Sequence, residues 1–217
     1  MAHTAAMTWE VFTGGFCQTN AYLLEAAGRH VLIDAPDDCA EWLQGRGVKI
    51  EALLLTHQHF DHVMDAARLA ADHGCPIYAW AEPSPDLWLN RMFSQLTGWE
   101  LEIAPYEVAH VLGGPEKGAG EMLRVAGMDF RLWHVPGHSP DSVCFYQEAS
   151  GRCFCGDTVF AGGIGRTDFP GGSEALLARG IREKLYTLPA ATVLLPGHGG
   201  PTTVAEEKSA NPFVRAA

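Results

Sequence analysis

The segment Thr56-His57-Gln58-His59-Phe60-Asp61-His62 places three imidazoles and a carboxylate between His57 and His62. Imidazole nitrogen and carboxylate oxygen are donors suited to divalent zinc, iron or manganese. One short loop rarely wraps a metal by itself, so further donors are expected elsewhere. Three stand downstream: His138 in Pro136-Gly137-His138-Ser139, Asp157 in Gly156-Asp157-Thr158 and His198 in Pro196-Gly197-His198-Gly199. The resulting set (His57, His59, Asp61, His62, His138, Asp157 and His198) is large enough for two metals if one carboxylate is shared.

Short β-branched or aromatic runs predict strands over Trp9–Phe12, Asn20–Glu25 and His30–Asp34. A helix is expected over Asp38–Gly45, closed by Gly45 or Gly47. Ile50–Thr56 reads as a buried strand ending at His57, and open α/β sheets place their sites beyond such ends. A helix over Asp61–His73 with Gly74 as its stop and a strand over Cys75–Trp80 follow. Pro83-Ser84-Pro85 introduces a helix with Leu89, Met92, Phe93 and Leu96 at i, i+3, i+4 and i+7. Pro105–Gly120 reads as a loop.

Strands resume at Met122–Val125, Met128–Val135, Ser142–Gln147 and Cys153–Cys155. A helix over Ser173–Leu188, with Ser173 as N-cap, a strand over Thr192–Leu195 and a closing helix from Thr202 complete the chain. Every candidate donor then lies just past a strand. Two halves of strand-then-helix character suit a sandwich of two sheets with helices on both outer faces, one edge of which gathers the donors. Because the donors run from His57 to His198 and must converge, one domain over 1–217 is expected, with a helix-and-loop excursion at 83–120. His3, His30, His73, His110 and His134 read as surface or supporting residues, with His134 pointing away from the His138 loop. Within the excursion, Leu87, Trp88, Met92, Phe93, Leu96 and Trp99 offer an apolar lid or pocket wall. For Leu89, Met92 and Leu96, docking on the sandwich or a dimer contact is the favoured reading, and Trp88 and Trp99 stand out as large aromatics off that stripe.

The chain has 217 residues, 47% of them apolar, enough for a substantial core and contrary to disorder. Its 15 Lys and Arg against 26 Asp and Glu give a net charge of -11, with no basic run. That balance argues against a nucleic-acid or anionic-membrane surface. No apolar run approaches a membrane span, and Met1–Thr8 lacks the features of a signal peptide. The six cysteines read as buried, reduced thiols, and a cytoplasmic protein is expected.

His57-x-His59-x-Asp61-His62 with His138, Asp157 and His198 resembles the metallo-β-lactamase-fold hydrolases over nearly the whole chain. Thr19-Asn20-Ala21-Tyr22-Leu23-Leu24, Gly156-Asp157-Thr158-Val159-Phe160, Gly165-Arg166-Thr167-Asp168-Phe169-Pro170-Gly171-Gly172 and Asn211-Pro212-Phe213 resemble the glyoxalase II-like group. The resemblance implies a four-layer αβ/βα sandwich, two mixed sheets flanked by helices. It implies one metal on His57, His59 and His138, a second on Asp61, His62 and His198, and Asp157 bridging them. Zinc is the first expectation, with iron or manganese as alternatives. In β-lactamases of the family a cysteine stands where Asp157 stands here, which disfavours antibiotic hydrolysis.

Such a pair of cations activates a bridging water for attack on a carbonyl and stabilises the oxyanion. Asp61 is the expected catalytic residue, holding that hydroxide and helping to move a proton. Asp34, ending the strand Val31-Leu32-Ile33, either orients a ligand histidine by a hydrogen bond or is an ordinary turn residue. The group implies hydrolysis of hydroxyacylglutathione-like thioesters by a monomer or homodimer. This chain stops soon after Asn211-Pro212-Phe213, without the group's additional helical domain. Arg166 stands where the group has a glutathione-binding lysine, and Asp168 where it has a tyrosine. Arg166 is therefore a candidate substrate contact, or the partner of Asp168 in an ion pair bracing the glycine-rich loop. The competing activity is a single-iron persulfide dioxygenase, whose members also resemble this chain. A non-catalytic metal scaffold is a third reading, weakened by the complete donor set.

Overall fold

In the computed structural model, residues 7–114 and 120–215 are described. The start of the chain, with His3, and positions 115–119 and 216–217 of the predicted loop and closing helix lie outside the described residues.

The first sheet runs in chain order: β1 (Thr8–Gly14), β2 (Thr19–Ala26), β3 (Arg29–Ile33), β4 (Ala52–Leu54), β5 (Ile77–Ala79) and β6 (His110–Val111). Its first three strands pair antiparallel and β3 to β6 pair parallel. The second sheet contains β7 (Met122–Val125), β8 (Met128–His134), β9 (Val143–Gln147) and β10 (Arg152–Gly156). A small ribbon follows, β11 (Val159–Phe160) with β12 (Gly163–Ile164), and then β13 (Val193–Pro196) and β14 (Thr202–Thr203) complete the second sheet in the order β14-β13-β10-β9-β8-β7. The helices are α1 (Cys39–Arg46), α2 (Phe60–Val63), α3 (Ala66–His73), α4 (Asn90–Thr97), α5 (Glu174–Glu183) and α6 (Val204–Ala210).

Side chains alternate between faces along a strand, and this alternation sorts the core into layers. In β2, Tyr22 and Leu24 point between the sheets, while Ala21 and Leu23 point outward to the helices. In β9, Val143 and Phe145 point inward, while Cys144 and Tyr146 meet α5. Phe130, Phe145 and Phe154 fill the space between the sheets. Leu43 of α1 and Leu69 of α3 cover one outer face, and Leu177 and Ile181 of α5 with Val204 of α6 cover the other. Both sheets are mixed, so the architecture is the expected αβ/βα sandwich. All six cysteines are free thiols and five are buried. No helix among the described residues is long and apolar enough to cross a membrane.

Several elements differ from the sequence reading. The helix expected over Asp61–His73 is two helices, α2 and α3. Asp65 donates its N–H to Ala35 O, and its carboxylate accepts the Ala40 N–H at 2.8 Å. Those bonds tie the chain to the turn after β3 and break the helix there. The strand expected over Ile50–Thr56 narrows to β4, because Asp34 Oδ1 takes the Thr56 N–H at 2.8 Å and removes it from the ladder. Cys75–Trp80 likewise narrows to β5. The helix from Ser173, capped as expected by the Ser173 hydroxyl, ends at Glu183 and passes into a 3₁₀ turn over Leu185–Thr187. Tyr186 in that turn donates to Glu207 O and Val214 O. The 105–120 segment contributes β6 at the sheet edge, and the closing helix stops at Ala210, where the Asn211 side chain accepts the Phe213 and Val214 N–H groups.

Candidate metal centre

The seven predicted donors converge at one edge of the sandwich, each from a strand end. His57 lies three residues past β4, and His59 opens α2, which carries Asp61 and His62. His138 follows β8, Asp157 directly follows β10, and His198 follows β13. Three groupings hold their donor atoms within 4.8 Å of one another: His57, His59 and His138; His57, His62 and Asp157; and Asp61, His62 and His198. Asp157 sits centrally. Its Oδ1 is 3.3 Å from His62 Nε2, and its Oδ2 is 3.4 Å from both His138 Nε2 and His198 Nε2.

The outer nitrogens of His57, His62, His138 and His198 are held by acceptors, which fixes the rings and aims Nε2 inward. His62 Nδ1 donates to Asp34 Oδ2 at 2.9 Å, His138 Nδ1 to Arg166 O at 2.8 Å, and His198 Nδ1 to Cys17 O at 3.1 Å. Thr56 Oγ1 donates to Asp34 Oδ2 and lies 3.2 Å from His57 Nδ1, whose proton it accepts. Asp34 thus bonds both His62 and Thr56, the contacts that the orienting alternative requires. It adopts a left-handed conformation with φ of 61°, which turns its carboxylate toward the donor loop.

His57 Nε2, His62 Nε2, His138 Nε2 and Asp157 Oδ1 are buried with no hydrogen-bond partner. Orphaned buried polar atoms are costly, and their gathering within the donor cluster fits bound cations. Burial, helped by His62 and His59, lowers His57 well below the usual imidazole value, and burial takes His59 down to about 3. Both are therefore neutral at pH 7, the form with a lone pair to give. Burial opposes charge on Asp61 and Asp157, but His62 and His198 outweigh it and hold both carboxyls low, Asp61 at about 2. Burial also opposes charge on His198, yet hydrogen bonds to Asp157 and Asp61 raise it to about 10. The acidic half of the site favours positive charge beside Asp61 and Asp157.

Close packing around Asp157 depends on glycine. A Cβ at Gly197 would lie 2.2 Å from Asp157 Oδ1 and 2.6 Å from His62 Cε1. Asn20 Nδ2 and the Tyr22 hydroxyl both bond Pro196 O, bracing the turn that carries His198. Thr19 Oγ1 donates to Asp61 Oδ2 at 2.7 Å. The Thr19-Asn20-Ala21-Tyr22 run was legible as a motif, but its contacts, such as Thr19 with Asp61, span many residues and leave no local signal.

One expectation is corrected and one is met in part. His134 does not point away from the His138 loop: its Nε2 bonds Pro140 O at 2.8 Å, and its ring stacks on Trp80 at 4.0 Å. Strand twist at the end of β8 brings the ring over that loop. The apolar stripe of α4 meets its favoured reading in part: Leu89 is buried in the core cluster with Met92 packed against it, while Leu96 is exposed. Leu89, Met92, Phe93 and Leu96 line a cleft of about 460 Å³ that reaches His59, Asp61, His138, Asp157 and His198. Trp88 instead packs near Tyr106, and Trp99 meets Phe16 edge-on. Arg166 pairs with Asp168 at 2.8 Å, lies over the Phe169 ring at 4.4 Å and also lines the cleft. The ion pair expected with Asp168 is present, and the side chain lies at the cleft wall.

Residues 14–198 match the model of the metallo-beta-lactamase superfamily. Hydroxyacylglutathione hydrolase GloC of Haemophilus influenzae is 35% identical over 211 residues, covering 91% of this chain and 93% of the relative. Among solved structures, the B3 metallo-beta-lactamase BLEG-1 superposes with a TM-score of 0.83 at 32% identity, covering 95% of this chain and 99% of that one. TTHA1623 in a di-iron-bound form superposes with a TM-score of 0.77 at 34% identity, covering 94% and 100%. Fold, donor set and sequence likeness agree: the chain belongs to the metallo-beta-lactamase superfamily, a family of metallo-hydrolases.

Proposed function

We propose that the chain is a metal-dependent thioester hydrolase of the hydroxyacylglutathione hydrolase kind, with His57, His59 and His138 holding one divalent cation, Asp61, His62 and His198 a second, and Asp157 between them. The observation that carries this reading is the placement of Asp157, whose two oxygens face imidazoles of both groups. The likeness to GloC supports the substrate class.

Two cations held there would supply Lewis acidity and lower the pKa of a bound water toward about 7. The chain's own residues do the rest. Asp34, Arg166 O and Cys17 O hold the imidazoles in register. Asp61, held by Thr19 and ionised, accepts the proton of the attacking water. The thioester carbonyl carbon gains the water oxygen, the C–S bond breaks, and the proton leaves with the thiolate. Arg166, at the cleft wall, offers a cation to an anionic thiol carrier.

Turnover of S-D-lactoylglutathione by protein loaded with zinc, iron or manganese tests this. Rapid thioester loss is expected. No loss in any metal form, with oxygen uptake on glutathione persulfide by the iron form, would replace it with the dioxygenase reading. Hydrolysis of a β-lactam alone would instead align the chain with BLEG-1.

A further inference from the structure

α4 is amphipathic, with Met92, Phe93 and Leu96 on one side; Met92 and Phe93 pack partly buried against the core, which holds Leu89 just before the helix, and Leu96 is exposed. An amphipathic helix ordinarily buries its apolar stripe in the protein. Here the stripe is buried only in part, and all four side chains also line the cleft. Phe60, Phe160, Ile164 and Phe169 continue the apolar lining on other segments. Beside the cleft, Phe16 stacks on Phe60 at 5.8 Å and lies tilted against Phe93 at 4.8 Å while 51% exposed, and Leu96 and Trp99 are 77% and 63% exposed. Among the described residues, Arg166 is the only Lys or Arg side chain in the lining, and it is paired with Asp168.

A lactoyl group is small and carries a hydroxyl, and it would leave this wall uncovered. Pockets of this size bind by apolar contact, with a few polar groups fixing orientation. From the wall and its continuity with the donor cluster, we propose that the cleft takes thioesters with an apolar acyl arm of several carbons, the arm lying along α4 with the carbonyl at the Asp61–Asp157 end. This rests on the thioesterase reading and names its substrate class.

The test measures kcat/KM for acetyl, butanoyl, hexanoyl, octanoyl and D-lactoyl glutathione thioesters on the metal-loaded full chain. Alongside it, calorimetry measures binding of the uncleavable thioethers S-methylglutathione and S-octylglutathione. A buried methylene contributes about 0.8 kcal/mol, so kcat/KM is expected to rise roughly fourfold per added methylene until the wall is covered. Leu96→Asp, at an exposed position, is expected to lower the octanoyl-to-acetyl ratio of kcat/KM at least about tenfold, and Met92→Ala to lower it less. Best turnover with lactoyl, or a flat series, overturns the proposal and leaves the thioesterase reading standing. If no thioester is cleaved but S-octylglutathione binds more tightly than S-methylglutathione and Leu96→Asp removes the difference, the thioesterase reading falls and the apolar arm site stands. A Leu96→Asp chain that shifts from dimer to monomer with its acyl selectivity unchanged would show that a second copy covers α4, which also overturns it.

Discussion

Asp34 Oδ2 and His62 Nδ1 lie 2.9 Å apart at the sheet edge, with both side chains buried. The same carboxylate accepts the Thr56 N–H and hydroxyl, so one residue orients His62 directly and the loop bearing His57 through its backbone. Asparagine tolerates the left-handed backbone at this position but cannot accept every one of these protons. Asp34→Asn is expected to weaken the metal held with His62 by about 10–100-fold while the metal on His57, His59 and His138 persists. Metal analysis during graded chelation reads this. Simultaneous loss of both metals would show that Asp34 maintains the whole loop rather than one imidazole.

Asp61 occupies the more exposed end of the donor cluster, bonded to Thr19 and 3.3 Å from His198 Nε2. A group that moves a proton contributes about 10²–10⁴ in rate. Asp61→Asn is expected to lower kcat by at least about a hundredfold and to spare most of the metal on His57, His59 and His138. Parallel loss of turnover and of that metal would remove the proton-transfer role and leave Asp61 as a ligand only.

The donors were legible because residue type and strand-end position are local features. Their supports were not. The role of Asp34 depends on a backbone conformation that no spacing reveals, and Thr19 reaches Asp61 from 42 residues away. The periodicity of Leu89, Met92, Phe93 and Leu96 correctly predicted a helical face but could not distinguish a face on the core from a face on a cleft. The helix break at Asp65 escaped notice because its cause is a bond to Ala40, on a separate element. Layer architecture was readable from the succession of strands and helices, whereas the run Tyr22-Leu23-Leu24 is apolar throughout and hides that Leu23 faces the helices and its neighbours the space between the sheets.

Gly197 lies against both Asp157 and His62. A methyl group there must displace one of them, and forcing atoms into a packed site costs about 1–3 kcal/mol. Gly197→Ala is expected to lower the unfolding free energy measured in urea by that amount and to reduce metal content below two per chain. Unchanged metal content would show that the Pro196–Gly199 turn moves aside without cost.

Glu207 is a buried carboxylate in α6, which follows the last donor, His198. It accepts the Gly162 N–H, the Thr202 hydroxyl at 2.6 Å and the Asn211 amide at 2.7 Å, and Asn211 also bonds Gly163 O. These bonds hold the β11–β12 ribbon, whose Phe160 and Ile164 line the cleft. Truncation leaves three donors without their acceptor, and each unsatisfied buried group costs about 1–3 kcal/mol. Glu207→Ala is expected to destabilise the chain by at least about 2 kcal/mol in urea unfolding. Because the ribbon forms part of the wall rather than the donor set, KM is expected to rise more than kcat falls. A fall in kcat alone would place the ribbon's effect at the donor cluster instead.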